Sequence, residues 1–434
     1  MRIQQPLHTI DSSRKLHAGH AEGPSKKPMH ARLPRGTHTG DNMHISTRIA
    51  TLLLSLCTAA AVPAQEAKPP IRVGWMASLT GPLSTAALGI DSGVRLAVDE
   101  INAAGGINGR KLELLTRDTA GDPNKAATFA QQLVHADKVD IVIGPVNSGE
   151  SLATVPLVAR KGTPNIVIGA VEELTDARKY PRAFRVINTT GQWVTVADDY
   201  VLKTMKRSKI ALIGDTTGYG TVSVRTATED LKKRGLTPVF TTMVDPNKTD
   251  LSDEIAKARA ANADVIMAWS AATGVLARLI NARGDAAWDA PIVGHPSLMA
   301  LPLKQLLNKP AYWENVYGAG YLATSYDAAG KLPERTQALV DRMRPTMGGG
   351  SIDILFWWVS LGYDAVKVAE HGIRKAGSTD PAAIQKALET TTGFKAVLST
   401  LTYGPDKRDG FPDENIAIDI ANTFKDGSFR LAPK

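Results

Sequence analysis

The sequence predicts an α/β protein made of two doubly wound, Rossmann-like lobes, and two observations carry that expectation. From Ile71 onward, short β-branched runs alternate with segments of helical period. Strands spaced by helices in this way pair in parallel and need helices on both faces of the sheet. The rhythm then occurs twice, over about 71–188 and 208–320, with no period short enough for a solenoid. The stretch from Ile71 to Lys434 is long enough for two domains of ordinary size.

Taken in order, the chain opens with residues 1–42, which are rich in His, Gly, Pro, Lys and Arg. They lack the apolar periodicity that builds a core and are expected to be unstructured. They are either an extension of a leader or sequence upstream of a true start at Met43. Residues 43–64 read as a secretory signal peptide: a polar start with Arg48, an apolar run from Ile49 to Val62, and small or branched residues at the minus-three and minus-one positions of Val62-Pro63-Ala64. The run is shorter than the roughly 18 apolar residues of a spanning helix, so export to the periplasm is the expectation. Cys57, the only cysteine, lies inside this leader. Leu56 stands where lipidation favours a small residue, which argues against an anchor at Cys57, and cleavage after Ala64 leaves no thiol for a disulfide or a nucleophile.

The expected strands are Ile71–Ala77, Lys111–Arg117, Asp140–Gly144, Asn165–Gly169, Ala183–Ile187, Lys209–Gly214, Pro238–Val244, Ala263–Trp269, Pro291–Gly294 and Asn315–Tyr321. Between them, Ile90, Val94, Ala97, Val98 and Ile101 share one helical face that stops at Gly105-Gly106. Asp122-Pro123 reads as an N-cap followed by Pro at the first helical position, opening a helix through Leu133. The last third is more helical: Ile352–Ala376 is one long segment with an apolar face, and Asp380-Pro381 caps another. Strands at Ile416–Asn422 and Ser428–Leu431 close the chain as a hairpin around Lys425-Asp426-Gly427.

Composition narrows the function. Of the formal charge of +8, most belongs to the leader: removing the 8 basic and 3 acidic residues of 1–64 leaves 43 Lys and Arg against 40 Asp and Glu, a net +3. That balance gives little support for a nucleic-acid partner. Beyond the leader only His135, His295 and His371 remain, scattered without metal-ligand spacing, so neither a metal nor a cofactor is expected. An enzyme finds little support. Gly144-Pro145-Val146-Asn147-Ser148-Gly149 is not a nucleophile elbow, no phosphate-binding loop occurs, and Thr80-Gly81-Pro82 carries too few glycines for a dinucleotide fingerprint.

Several blocks, in order, carry a resemblance. IRVGWMASLTGPLS (71–84), DEINAAGGINGRKLELLTRD (99–118), GDPNKAATFAQQLV (121–134), VIGPVNSGESLA (142–153), EELT (172–175), RVINTTGQ (185–192), DTTGYG (215–220) and Tyr363-Asp364-Ala365 together resemble the type I periplasmic substrate-binding proteins of the leucine/isoleucine/valine-binding family. The resemblance spans essentially all of 71–434. It implies two lobes joined by a three-segment hinge, with crossings near Thr189, near Gly320 and before the C-terminal hairpin. The lobes would be 71–188 with 321–414, and 189–320 with 415–434. It also implies a monomer that closes on a small carboxylate ligand and delivers it to an ABC permease in the inner membrane. A periplasmic sensor that passes closure to a membrane receptor is the alternative reading.

Carboxylates are held well by backbone N–H groups at a helix N-terminus, and two loops have that character. Asn147-Ser148-Gly149 lies between a buried strand and a helix, and Gly169-Ala170-Val171 follows the next strand at the carboxyl edge of the sheet. The resemblance implies that both grip the ligand carboxylate. On the second lobe it points to Tyr219, in the DTTGYG turn, and to Ser270, which follows a strand. Trp193 and Trp358 are expected as aromatic walls. Amino-acid-binding members place a carboxylate after the strand equivalent to Pro291–Gly294, whereas this chain reads His295-Pro296-Ser297. An ammonium desolvated without a charge partner is costly, so either the ligand lacks an amine or an acid elsewhere supplies the partner. His295 is expected to face the ligand.

Overall fold

The computed structural model describes residues 68–434; the proposed leader, with Cys57, lies outside the described residues. The first sheet is wholly parallel. Its strands are β1 (Ile71–Ala77), β2 (Leu112–Asp118), β3 (Ile141–Ile143), β4 (Asn165–Val167) and β5 (Ala183–Arg185), in the order β2-β1-β3-β4-β5. β1 is flanked on both sides and buried at every residue but Arg72, as its apolar run from Val73 demands, whereas β2 at the edge is largely half-exposed. Helices α1 (Ser84–Ala103), α2 (Pro123–Gln131) and α3 (Ser148–Lys161) connect the strands.

The chain then crosses to α4 (Thr190–Asp199), which begins with a reciprocal cap between Thr189 and Gln192. A second α/β run follows: β6 (Ile210–Asp215), α5 (Gly218–Lys233), β7 (Phe240–Val244), α6 (Ser252–Ala260), β8 (Val265–Trp269), α7 (Thr273–Asp285), β9 (Ile292–Gly294), α8 (Leu301–Leu306), β10 (Val316–Tyr321) and β11 (Ser325–Tyr326). After it come α9 (Glu334–Met343), α10 (Phe356–Ala376), α11 (Pro381–Glu389) and a small hairpin of β12 (Phe394–Lys395) and β13 (Thr400–Leu401). The closing hairpin, β14 (Ile416–Lys425) and β15 (Ser428–Leu431), joins the second sheet, whose order is β11-β15-β14-β10-β9-β8-β6-β7. Its turn has Asp426 and Gly427 both at positive φ (49° and 76°), the conformation that suits a two-residue hairpin. The chain stays on this sheet through β11, past the Tyr321 at which its return was expected.

Asp122 and Asp380 cap α2 and α11 as the sequence predicts, each side chain accepting first-turn N–H groups. Two helix boundaries differ. α2 gives way after Gln131 to a wider turn over Gln132–Ala136. α10 starts at Phe356, not Ile352, because Leu355 is non-helical (φ −54°, ψ 114°) and the Phe356 N–H donates to the Gly427 carbonyl (2.8 Å). A tertiary contact with the hairpin turn thus sets where this helix begins. α10 crosses α1 at backbone contact: a Cβ on Gly93 would sit 1.9 Å from the Val359 oxygen, and one on Gly362 would sit 2.0 Å from the Ile90 oxygen. The glycines bring the first turn of α10 against the carboxyl edge of the first sheet.

Candidate functional site

The carboxyl edges of the two sheets face each other. On the first, α3 follows β3 directly. Asn147 is its N-cap, with Oδ1 accepting the Gly149 N–H at 2.8 Å, and Ser148 is its first residue. The Ser148 hydroxyl oxygen accepts the Ala170 N–H at 3.2 Å, tying together the two loops singled out in the sequence. Arg185 fixes the second loop from behind. It is fully buried, donating to the carbonyls of Gly169 (2.5 Å) and Val171 (2.7 Å), to Thr175 Oγ1 (2.8 Å) and to Asp409 Oδ1 (2.6 Å). Because a peptide unit is planar and trans, a Gly169 carbonyl drawn toward Arg185 turns the Ala170 N–H the opposite way, toward Ser148.

Across the cleft, Trp193 stands in the first turns of α4, Tyr219 is the second residue of α5, and His295 caps the short turn after β9. The first turn of α10 supplies Trp357 and Trp358. Trp193 is the hub, with ring centroids 5.3 Å from His295, 6.0 Å from Trp357 and 6.4 Å from Tyr219, all edge-on. These residues enclose a cavity of about 60 Å³. The first sheet's side contributes Asn147, Ser148 and Ala170, and α10 contributes Trp357 and Trp358, with Ile90, Ile168 and Leu361 as apolar wall. Trp193, Tyr219, Ala271 and His295 come from the second sheet's side.

Seven of the eleven expected residues therefore meet at one cavity, and four stand back from it. The Ser270 hydroxyl is buried and turned to Asp215, so its neighbour Ala271 takes the lining position. Gly169 is packed under Leu174 and Ser151, and Val171 belongs to an apolar cluster with Val155 and Leu174. Gly149 instead touches the opposite lobe: a Cβ on Gly218, at the start of α5, would lie 2.6 Å from its Cα.

None of the lining side chains carries a charge. His295 is pushed down to about 3 by burial and is neutral at physiological pH. Its Nδ1 accepts the Ser297 N–H (3.1 Å), which places the imidazole proton on Nε2. Burial also raises Tyr219, keeping its hydroxyl protonated. The indole N–H groups of Trp193 and Trp357 and the Tyr219 hydroxyl are buried with no hydrogen-bond partner among the described residues. Two buried acids stand behind the wall, Asp215 beneath Ser270 and Glu150 beside Ser78 (2.7 Å), both raised by burial. Such a site can surround a small solute and donate hydrogen bonds to its oxygens.

Trp357 is the aromatic lining residue that the sequence reading missed. Adjacent helical side chains diverge by about 100°, so choosing Trp358 argued against its neighbour. The cavity, however, meets α10 end-on at its first turn, where more than one face is presented. The Phe356-Trp357-Trp358 run was the available signal.

Residues 70–418 match the family model described as periplasmic binding protein. The Leu/Ile/Val-binding protein homolog 3 of Brucella melitensis is 31% identical over 361 residues, covering 81% of this chain and 92% of that one. Among solved structures, a periplasmic binding protein type 1 from Bordetella pertussis superposes with a TM-score of 0.75 at 24% identity, over 84% of this chain and 100% of that one. A solute binding protein of an ABC transporter from Rhodopseudomonas palustris, in complex with 3,4-dihydroxy benzoic acid, gives 0.68 at 20% identity, over 81% and 93%. At these identities the two structures establish a shared fold.

Proposed function

The chain belongs to the periplasmic binding protein family, and from that premise we propose that it is the solute-binding protein of an ABC transporter. It captures a small carboxylate-bearing solute in the periplasm and delivers it to an inner-membrane permease. The observation that carries this reading is the cavity walled by both lobes. A solute seated there touches both lobes at once, so its binding energy favours the closed arrangement over an open one. The closed form then presents the permease with a surface that the open form lacks. Asn147, Ser148, Ala170, Trp193, Tyr219, His295 and Trp358, together with Trp357, are the residues assigned to the solute. The hinge is assigned to the segments after β5, after β11 and before β14.

The relatives' names support a solute of the branched-chain amino acid class, and the Rhodopseudomonas neighbour supports an acid without an amine. A thermal-shift screen of the purified protein against both classes tests the reading, since a ligand of the native state raises its apparent stability by mass action. A rise in Tm with at least one small carboxylate is expected. No response to any of them, at concentrations where the family relatives respond, would remove the reading.

A further inference from the structure

We propose that the solute held in this cavity carries a carboxylate and at least one further oxygen acceptor, and no ammonium group. The inference rests on reading the cavity as the solute site. It follows from the hydrogen-bond inventory of the wall. The lining side chains are rich in donors, among them the Ser148 hydroxyl, the Asn147 amide, His295 Nε2, the Trp193, Trp357 and Trp358 indoles and the Tyr219 hydroxyl. Three acceptors already hold a backbone N–H, and no carboxylate stands among the lining side chains. Asn147 Oδ1 takes the Gly149 N–H, Ser148 Oγ takes the Ala170 N–H, and His295 Nδ1 takes the Ser297 N–H.

An ammonium brings three donors and a positive charge, and here it would face other donors without an acid among the lining residues. The buried acids nearby do not line the cavity: Asp215 holds Ser270 and Thr217 through its two oxygens, and Glu150 holds Ser78 through Oε2. A carboxylate with a keto, hydroxyl or phenolic oxygen is the complement of this wall: each oxygen accepts, and the carbon body lies against Ile90, Ile168, Trp358 and Leu361.

Calorimetry on the purified protein with matched pairs tests it: leucine and phenylalanine against the keto acids of each, with benzoate and hydroxybenzoates alongside. The amine-free acids are expected to bind at least about tenfold more tightly than the matched amino acids. Ser148→Ala separates the two levels of the argument. Amino acids that bind as tightly as the keto acids, and are weakened by Ser148→Ala, leave the site standing and overturn the inference. Ligands of either kind that bind equally well to Ser148→Ala place the site elsewhere and overturn both. A gain-of-function variant provides the converse. His295→Asp keeps the cap, because a carboxylate oxygen accepts the Ser297 N–H as Nδ1 does, and it adds the missing acid. It is expected to acquire leucine or phenylalanine binding while losing affinity for the keto acids.

Discussion

Ser148 is tied to one neighbour and left free in one respect. Its oxygen accepts the Ala170 N–H, so its hydroxyl proton is the part that remains to donate to a solute. Truncation to alanine therefore removes a donor from the solute and an acceptor from Ala170. Ser148→Ala is expected to weaken binding of a verified carboxylate by roughly 1–3 kcal/mol, the scale of a lost hydrogen bond to a charged group. The unliganded Tm should move far less than the affinity, because the strands and helix on either side keep their own bonds. Isothermal titration gives the affinity; a value equal to that of the parent protein would take Ser148 out of the site. Arg185 acts one step further back. Its donors hold the carbonyls of the Gly169–Val171 loop, and nothing local in Ala183-Phe184-Arg185 announces that role, since a buried arginine at a strand end is defined by what folds over it.

At the level of elements, the first turns of α3 and α5 meet through Gly149 and Gly218. A Cβ at Gly218 would fall 2.6 Å from the Gly149 Cα and 3.1 Å from its nitrogen, against backbone that cannot rotate away. One at Gly149 would fall 3.5 Å from the Gly218 Cα, ordinary contact distance. Gly218→Ala should thus hold the two helix ends apart and penalise closure, lowering ligand affinity about tenfold or more while leaving the unliganded fold intact; Gly149→Ala should lower it less. Small-angle scattering with and without ligand checks the mechanism, because compaction on binding should shrink in Gly218→Ala. Equal compaction in parent and variant would mean that these helices do not approach in the bound form. The elements themselves were largely legible in advance. β1, the caps at Asp122 and Asp380 and the turn at Asp426-Gly427 follow from residues adjacent in sequence, where propensity and hydrogen bonding act directly. The start of α10 was not legible, because the Gly427 carbonyl that anchors Phe356 is brought there by the fold. The same limit explains Ser270 and Trp357: strand and helix were right, but which side chain reached the cavity depended on the neighbouring layer.

The whole molecule carries several acids in places that suit neutral groups, and their sum predicts its response to pH. Burial raises Asp364 to about 7 and, with Asp230 beside it, Asp198 to about 9; Asp215, Glu150 and Asp419 are raised by burial as well. For each, the folded protein retains a proton that the unfolded chain has released. The stability they contribute is therefore complete below the ordinary carboxylate range and is lost as pH rises through each raised value, toward 7 for Asp364 and 9 for Asp198. His295 acts in the opposite sense. Its folded form refuses the proton that an unfolded histidine accepts below about 6.5, so its contribution is lost as pH falls from there toward 3. The raised acids outweigh the two lowered histidines, His295 and His371, and Tm is expected to be higher near about pH 5.5 than near about pH 8.5. Asp198 offers the sharpest test, because it is buried beside a second carboxylate, Asp230, so that its ionisation sets two like charges together. Asp198→Asn keeps the shape and removes the titration, so it should raise stability above about pH 7 by at least ~1.4 kcal/mol, the worth of one pKa unit, and change little near about pH 4. Thermal melts across that range decide the matter: a parent Tm that is flat or rising toward alkaline pH would mean that these acids ionise inside the fold, with counter-charges drawn close enough to replace the lost water.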